Sequence, residues 1–217
     1  MIMPTLHRVR IRGELACFTR PEFKTERFSY EVITPSAARG ILEAILWKPA
    51  IQWQIRRILL LAPPRFIQLK RNEVTKRASV ANALSALRNG VPLDYFADED
   101  RAQRSTLALR DVDYAVEAEF RLTTRAGSED TPRKFDEMFR RRLEKGQFHM
   151  QPYLGCREFP ATVEPYSGTP PPIETATREL GYMLHDLRYG LKGNEPVFFR
   201  AKLERGIVEV PQWEAAA

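Results

Sequence analysis

The sequence predicts an α+β fold, on three observations. Three stretches alternate apolar and polar residues as half-buried strands do. Two others repeat apolar residues at helical spacing behind a Thr-Pro start. With one further strand near residue 160, the order is strand, helix, strand, long insertion, strand, helix, strand, the βαββαβ order of the ferredoxin-like fold. On this reading residues 1–165 form the main domain, with a long basic insertion at about 65–110. Residues 166–217 form a proline-rich linker, SGTPPPIE, and a small β-rich C-terminal extension.

The first strand lies in LHRVRIRG (6–13), where His7, Val9 and Ile11 point one way and Arg8, Arg10 and Arg12 the other. A loop follows, FTRPEFKTERFSYEVITP, with charges set between aromatics. In TPSAARGILEAILW (34–47), Thr34 is placed to cap a helix and Pro35 suits its first position. Ala37, Ala38, Ile41, Leu42 and Ile45 make the apolar stripe. Lys48-Pro49 ends the helix, because the residue before proline avoids the α region. IQWQIRRILLL (51–61) alternates and then turns apolar on both faces, as a central strand stopped by Pro63-Pro64 would.

Residues 65–110 are less regular. RFIQLKRNEVTKRAS carries five basic residues against Glu73, and a short helical stretch, an Asn89-Gly90 turn and a mixed-charge loop follow. A segment of this length between two clear strands is functional or partly mobile. VDYAVEAEFRLT (112–123) then sets Val112, Tyr114, Val116, Ala118, Phe120 and Leu122 on one face. Asp113, Glu117, Glu119 and Arg121 fall on the other, which predicts a sheet covered on one side only. In the second helix, Thr131 is the cap, Pro132 the first residue and Gly146 the residue past the end. Phe135, Met138, Phe139 and Leu143 form its buried stripe. Arg133, Arg140 and Arg141 point outward, and Lys134 lies beside the buried edge. LGCREFPATVEP is the fourth strand.

The chain has 217 residues, 43% hydrophobic and 29% charged, which fits a soluble globular protein with a sizeable core. No apolar run approaches the roughly 20 residues of a membrane span, and MIMPTLHRVR has no signal-peptide apolar region, so the cytoplasm is the expected compartment. Cys17 and Cys156 stand far apart and read as two small buried thiols rather than a disulfide framework or a zinc ribbon. The net charge of +6 favours anionic partners, with nucleic acid first among them.

The motif inventory narrows the chemistry. His7, His149 and His185 are dispersed, with no HxH or HExxH spacing, so no metal site or cofactor is expected. There is no GxxxxGK[ST], GxGxxG or GxSxG pattern. Basic residues interleaved with aromatics remain. Arg20, Lys24 and Arg27 crowd the first loop beside Phe23, Phe28 and Tyr30; Lys70, Arg71, Lys76 and Arg77 form a second cluster; Arg133, Arg140 and Arg141 form a third. If the chain cuts RNA without metal, attack by the 2′-hydroxyl needs a base, a cation for the developing charge and an acid for the leaving oxygen. Lys134 suits the second role, and His149 flanks the same helix. His7 belongs to the first strand's apolar face, and His185 can pair locally with Asp186.

Several motifs in order, GELACFTRPEFKTERFSYEVITPSAARGILEAILWKPAIQW, KRNEV, RSTLALRDVDY and GQFHMQPYLGCREFP, resemble the fifth Cas protein family of CRISPR systems in its type I-C (Dvulg) form. The resemblance runs from about residue 10 to 165. It implies a ferredoxin-like (RAMP) domain that cuts precursor CRISPR RNA at the base of the repeat hairpin without metal. It further implies that the protein stays on the 5′ handle beside the backbone and large subunits of the interference complex. Double-stranded DNA is a further candidate ligand of the basic surface, which also includes Lys48. The family's catalytic pattern pairs a tyrosine near the end of the first helix with a Lys-His dipeptide at the start of the second. Here only the lysine carries over, to Lys134; Leu46 and Phe135 occupy the other two positions. His149, or a tyrosine such as Tyr30 or Tyr153, is the candidate replacement. A catalytically inactive subunit that only binds RNA is the alternative.

Overall fold

In a computed structural model of the chain, the described residues are 5–23, 25–93, 96, 98–190 and 193–212. The four expected strands are β1 (His7–Ala16), β3 (Ile51–Leu60), β5 (Arg101–Leu122) and β6 (Thr162–Pro165), which lie side by side in the order β6-β1-β5-β3. Every neighbouring pair is antiparallel, as two interleaved strand–helix–strand crossovers require. This is the expected ferredoxin-like arrangement. Helices α1 (Pro35–Ile45) and α3 (Pro132–Glu144) supply the crossovers.

Both helices begin as their sequences direct. Thr34 Oγ1 accepts from the Ala37 N–H at 3.2 Å, and Thr131 Oγ1 accepts from the Lys134 N–H at 3.3 Å. Gly146 takes the left-handed conformation just past α3 (φ 61°). Ala38, Ile41, Leu42 and Ile45 of α1 and Phe135, Phe139 and Leu143 of α3 are buried in one core with Val9, Ile11, Val116, Ala118 and Trp53. His7 joins them, stacked among Trp53, Phe120 and Phe139.

Four expectations change. The 65–110 insertion holds the expected short helix, α2 (Val80–Asn89), without a buried residue, but residues 101–110 of the expected mixed-charge loop belong to β5 and pair with β4 (Arg65–Val74), so the insertion is built as an arm. The fourth strand is short, because Gly155 sits at φ 82° and only residues from Thr162 onward reach β1. The sheet's second face is also partly covered. Ala115 packs there with Leu59, Leu61 and Tyr166, and Glu117 is buried between Arg8 (2.9 Å) and Arg57 (2.8 Å) from the flanking strands. Finally, His185 bonds the Pro211 carbonyl at 2.8 Å, while Asp186 bonds Arg39.

The C-terminal segment extends the same sheet. β9 (Ile207–Glu209) pairs with β3, and β8 (Gly193–Glu204) and β7 (Arg178–Gly190) follow outward as a hairpin. Two-residue β2 (Arg27–Phe28) lies parallel to β5 at the base of the arm. No helix among the described residues is long and apolar enough to cross a membrane.

Candidate nucleic-acid interface

Lys134 stands in the first turn of α3, held there by the Thr131 cap. Its ammonium donates to Asp130 Oδ1 at 3.0 Å and to the Glu129 carbonyl at 3.4 Å, and it lies 5.6 Å from the centre of the Phe135 ring. An ammonium has three N–H donors, so one remains for an anion. The Lys134 hydrogen bond, the Gly127 N–H and then the charges of Lys134 and Lys48 hold the Asp130 carboxyl below its usual range. The charge of Lys48, in the α1–β3 connection, thus reaches the carboxylate that Lys134 bonds. Trp47 is exposed beside Lys48, and both line an open cleft of about 520 Å³ with Arg125 and Arg188. Trp47 and Arg125 were not among the sequence candidates, since single loop residues carry no periodic signal.

His149 lies at the other end of α3. Its backbone N–H donates to the Ala44 carbonyl at 3.0 Å, and Arg142 donates to the Ile45 carbonyl at 2.8 Å, so α3 and the following loop satisfy the open carbonyls of α1. Phe148, His149 and Met150 are exposed. The helix rises about 15 Å between Lys134 and Glu144. Lys134 and His149 thus stand at opposite ends of α3, and among the described contacts no hydrogen bond or ion pair joins them.

The two tyrosines differ. Tyr153 is half-buried and lines a cavity of about 300 Å³ along α1, opposite Ser36, Ala37 and Gly40. Tyr30 is 1% exposed, with the Arg20 guanidinium 4.6 Å over its ring. Burial pushes its hydroxyl above the usual tyrosine range, and no face of the ring is open to a phosphodiester. Leu46 and Phe135, at the positions of the family's tyrosine and histidine, are both in the core.

The predicted basic residues divide into two groups. Arg27 and Arg71 converge on Glu158, with Arg27 at 3.0 Å; Arg27 also meets Glu73 at 3.3 Å. They fasten the base of the arm. Seven others are exposed. Lys76, Arg133 and Arg140 pair with Asp100, Glu137 and Asp136 at 2.7, 2.7 and 3.0 Å, in positions where solvent weakens such pairs. Lys48, Lys70, Arg77 and Arg141 are exposed. Lys24 lies outside the described residues. Phe28 stacks on Phe23 (centroids 5.2 Å apart) and approaches Phe66 (6.4 Å). All three rings are exposed, and Arg20 lies 6.0 Å over Phe28. This aromatic and basic row suits unstacked bases. Among the described residues no group of three or more His, Cys, Asp or Glu side chains gathers as metal ligands.

Comparison with known proteins bears on the family and the fold. A sequence model of the Cas5d type, described as CRISPR-associated protein (Cas_Cas5), matches residues 8–211. A protein of Mannheimia succiniciproducens named CRISPR pre-crRNA endoribonuclease Cas5d is 45% identical over 216 residues, covering 96% of each chain. A protein of the same name from Thermus thermophilus is 41% identical over 222 residues, covering 94% of this chain and 90% of its own. A solved structure titled as a CRISPR-associated protein superposes with a TM-score of 0.71 at 21% identity, over 96% of this chain and 93% of its own. A chain of a CRISPR RNA-guided surveillance complex superposes at 0.51 and 14% identity, over 95% and 91%.

Proposed function

This chain belongs to the Cas5d family of CRISPR-associated proteins, and we propose on that premise that it is a metal-independent endoribonuclease of precursor CRISPR RNA. In this reading it cuts at the base of the repeat hairpin and stays on the 5′ handle as a subunit of the cytoplasmic type I-C interference complex, beside its backbone and large subunits. The observation that carries the reading is Lys134. It is capped into place, it has a donor to spare, and it is the one residue of the family's catalytic pattern that the resemblance carries over to this chain.

The chemistry proceeds by attack of a 2′-oxygen on the adjacent phosphorus. The 2′-hydroxyl loses its proton to a base, the P–O5′ bond breaks, and the departing oxygen takes a proton from an acid, leaving a cyclic phosphate and a 5′-hydroxyl. Lys134 offsets the charge that builds on the non-bridging oxygens. His149 exchanges the proton, with Tyr153 as its substitute. For both groups to act, the RNA runs along α3 from its first turn to the loop beyond its end. The exposed rings of Phe23, Phe28 and Phe66, with Arg20, receive unpaired bases, and Lys70, Arg77, Arg133, Arg140 and Arg141 meet phosphates. Double-stranded DNA on the same basic surface is part of the proposal and rests on the charge of +6.

The test is single-turnover cleavage of the repeat hairpin RNA from the protein's own locus, in EDTA. We expect one cut at the hairpin base, slowed about 10²-fold or more by Lys134→Ala and by His149→Ala separately. Unchanged rates in both variants would discard the assignment. A second reading, a subunit that binds the handle without cutting, is favoured by one observation: Leu46 and Phe135 are buried and cannot exchange protons. Tight binding of intact RNA by the wild-type protein would establish it.

A further inference from the structure

The two faces of the arm differ. Exposure alternates along β4, so Ile67, Leu69, Arg71 and Glu73 lie on one side and Phe66, Gln68, Lys70, Asn72 and Val74 on the other. The first side is turned to the body: Ile67 and Leu69 pack on the core, and Arg71 bonds Glu158 and Thr106. The second side is open. Lys70 stands opposite Ser105, Asn72 opposite Gln103 and Val74 opposite Arg101, and Gln103 and Arg101 are exposed as well. This outer face therefore carries three carboxamides and two cations and no carboxylate. Among the described residues, none of those five side chains makes a hydrogen bond or an ion pair. At the base of the arm the face runs on into the aromatic row, since Phe28 pairs with Leu107 and its ring lies 6.4 Å from that of Phe66.

From this open face, basic and continuous with exposed rings, we propose that the arm reads the sequence of an unpaired strand of the repeat RNA, with Gln68, Asn72 and Gln103 as specificity-determining residues. The inference rests on RNA being the substrate. Phe28 and Phe66 offer their rings to unstacked bases, a contact that any base satisfies. A carboxamide sets an acceptor beside two donors, the complement of a Watson–Crick edge, and that edge is free only on an unpaired base. The wrong base leaves the carboxamide and its own edge without partners, and this makes the contact selective. Lys70 and Arg101 meet the phosphates, with no carboxylate on the face to repel them. From Phe66 to Val74 the strand rises about 27 Å, enough for roughly four nucleotides of single strand or more. A two-stranded ribbon also fits the major groove of B-form DNA. Paired and stacked bases, however, present no open ring face to Phe28 and Phe66, and the major groove of duplex RNA is too narrow for the ribbon.

The experiment measures fluorescence anisotropy of the full chain with two short labelled RNAs that form no hairpin. One carries the unpaired segment of the repeat from the protein's own locus, and the other carries that segment scrambled. We expect the wild-type protein to favour the repeat segment. The triple variant Gln68→Ala, Asn72→Ala, Gln103→Ala should lose about tenfold in affinity for it and hold the scrambled RNA as before, so that the preference disappears. Phe28→Ala with Phe66→Ala should weaken both RNAs alike, by about tenfold or more. Lys70→Ala should lower the slope of log affinity against log salt by about 0.7. Equal wild-type affinity for the two RNAs would overturn the proposal. So would a triple variant that keeps the preference, or a duplex of the same sequence that binds as tightly as the single strand. If the expected pattern is seen while the hairpin stays intact, the cleavage reading fails and this one stands. If the hairpin is cut and the triple variant keeps the preference, the reverse holds. The wild-type comparison decides even where a variant fails to fold.

Discussion

Arg39 is the point at which α1 is tied to the C-terminal hairpin, and its removal has a calculable cost. The guanidinium meets Asp186 with two parallel bonds of 2.8 Å and Glu43 at 2.7 Å, and the Arg39 and Asp186 side chains are each only 16% exposed. Burial opposes the charge, but the bonds to Asp186 outweigh it and drive Arg39 further above its usual range. Arg39→Met keeps most of the volume and strands the carboxylate. Removing one partner of a buried pair costs about 3–5 kcal/mol. Asp186 keeps the Leu187 N–H at 2.7 Å, and Glu43 is exposed enough to be hydrated, so the lower end applies, about 3 kcal/mol. For a chain of this size that is a fall of about 6–12 °C in Tm. Urea unfolding should show a lower midpoint at unchanged slope. Adding Asp186→Leu should restore most of the loss, because no charge is then left buried. A cost below about 1 kcal/mol for Arg39→Met, or double-variant losses that simply add, would refute the reasoning.

The remaining predictions concern pH, backbone and capping. Burial lowers His7 from 6.5 to about 4, although Asp136 pulls it up; Arg140 adds to the lowering. The unfolded imidazole therefore takes its proton first. Stability is full above pH 6.5 and falls by about 3 kcal/mol as the pH drops toward 4. His7→Phe should flatten that slope in urea titrations, and parallel profiles for variant and wild type would exclude His7 as the source. Gly155→Ala would put a side chain at φ 82° against the Cys17 carbonyl, costing at least about 3 kcal/mol, and a wild-type urea midpoint would show that the approach relaxes freely. Thr131→Ala should lose about 1 kcal/mol and about 2–4 °C by calorimetry; an unchanged Tm would mean that the cap is not needed to hold the turn carrying Lys134.

What was legible in the sequence was what a single segment specifies. The two helices announced themselves because Thr34-Pro35 and Thr131-Pro132 fix their starts and their stripes meet the core directly. The arm did not. Residues 101–111 pack against β4 and not against a helix, so no apolar face repeats there. The burial of Glu117 was hidden because Arg8 and Arg57, which neutralise it, come from two other strands. Tyr30 looked available beside Arg20, Lys24 and Arg27, but its burial is a property of the closed loop, with Ser29 and Tyr30 pinned to Leu107 and Phe18. Likewise, 139 residues separate Cys156 from Cys17, whose backbone oxygen its thiol approaches at 3.8 Å, a proximity no local pattern encodes. Lys134 was legible from its place at the start of the second helix as well as from the family resemblance, and Lys48 was a sequence candidate, whereas the parts of Asp130 and Trp47 came only from the fold.

Strand β5 runs 22 residues without interruption, pairing with β4 over Arg101–Arg110 and with β3 over Tyr114–Leu122. The same strand is thus a central member of the core and one wall of the arm, joined where Asp111 takes a φ of 50°. Side chains alternate along a strand, so the core dictates which way every arm residue faces. Deleting one residue between Ser105 and Arg110 would leave Val112, Tyr114 and Val116 in place and swap the two faces of the arm wall beyond the deletion. Growth or shrinkage of the arm therefore preserves its chemistry only in steps of two residues.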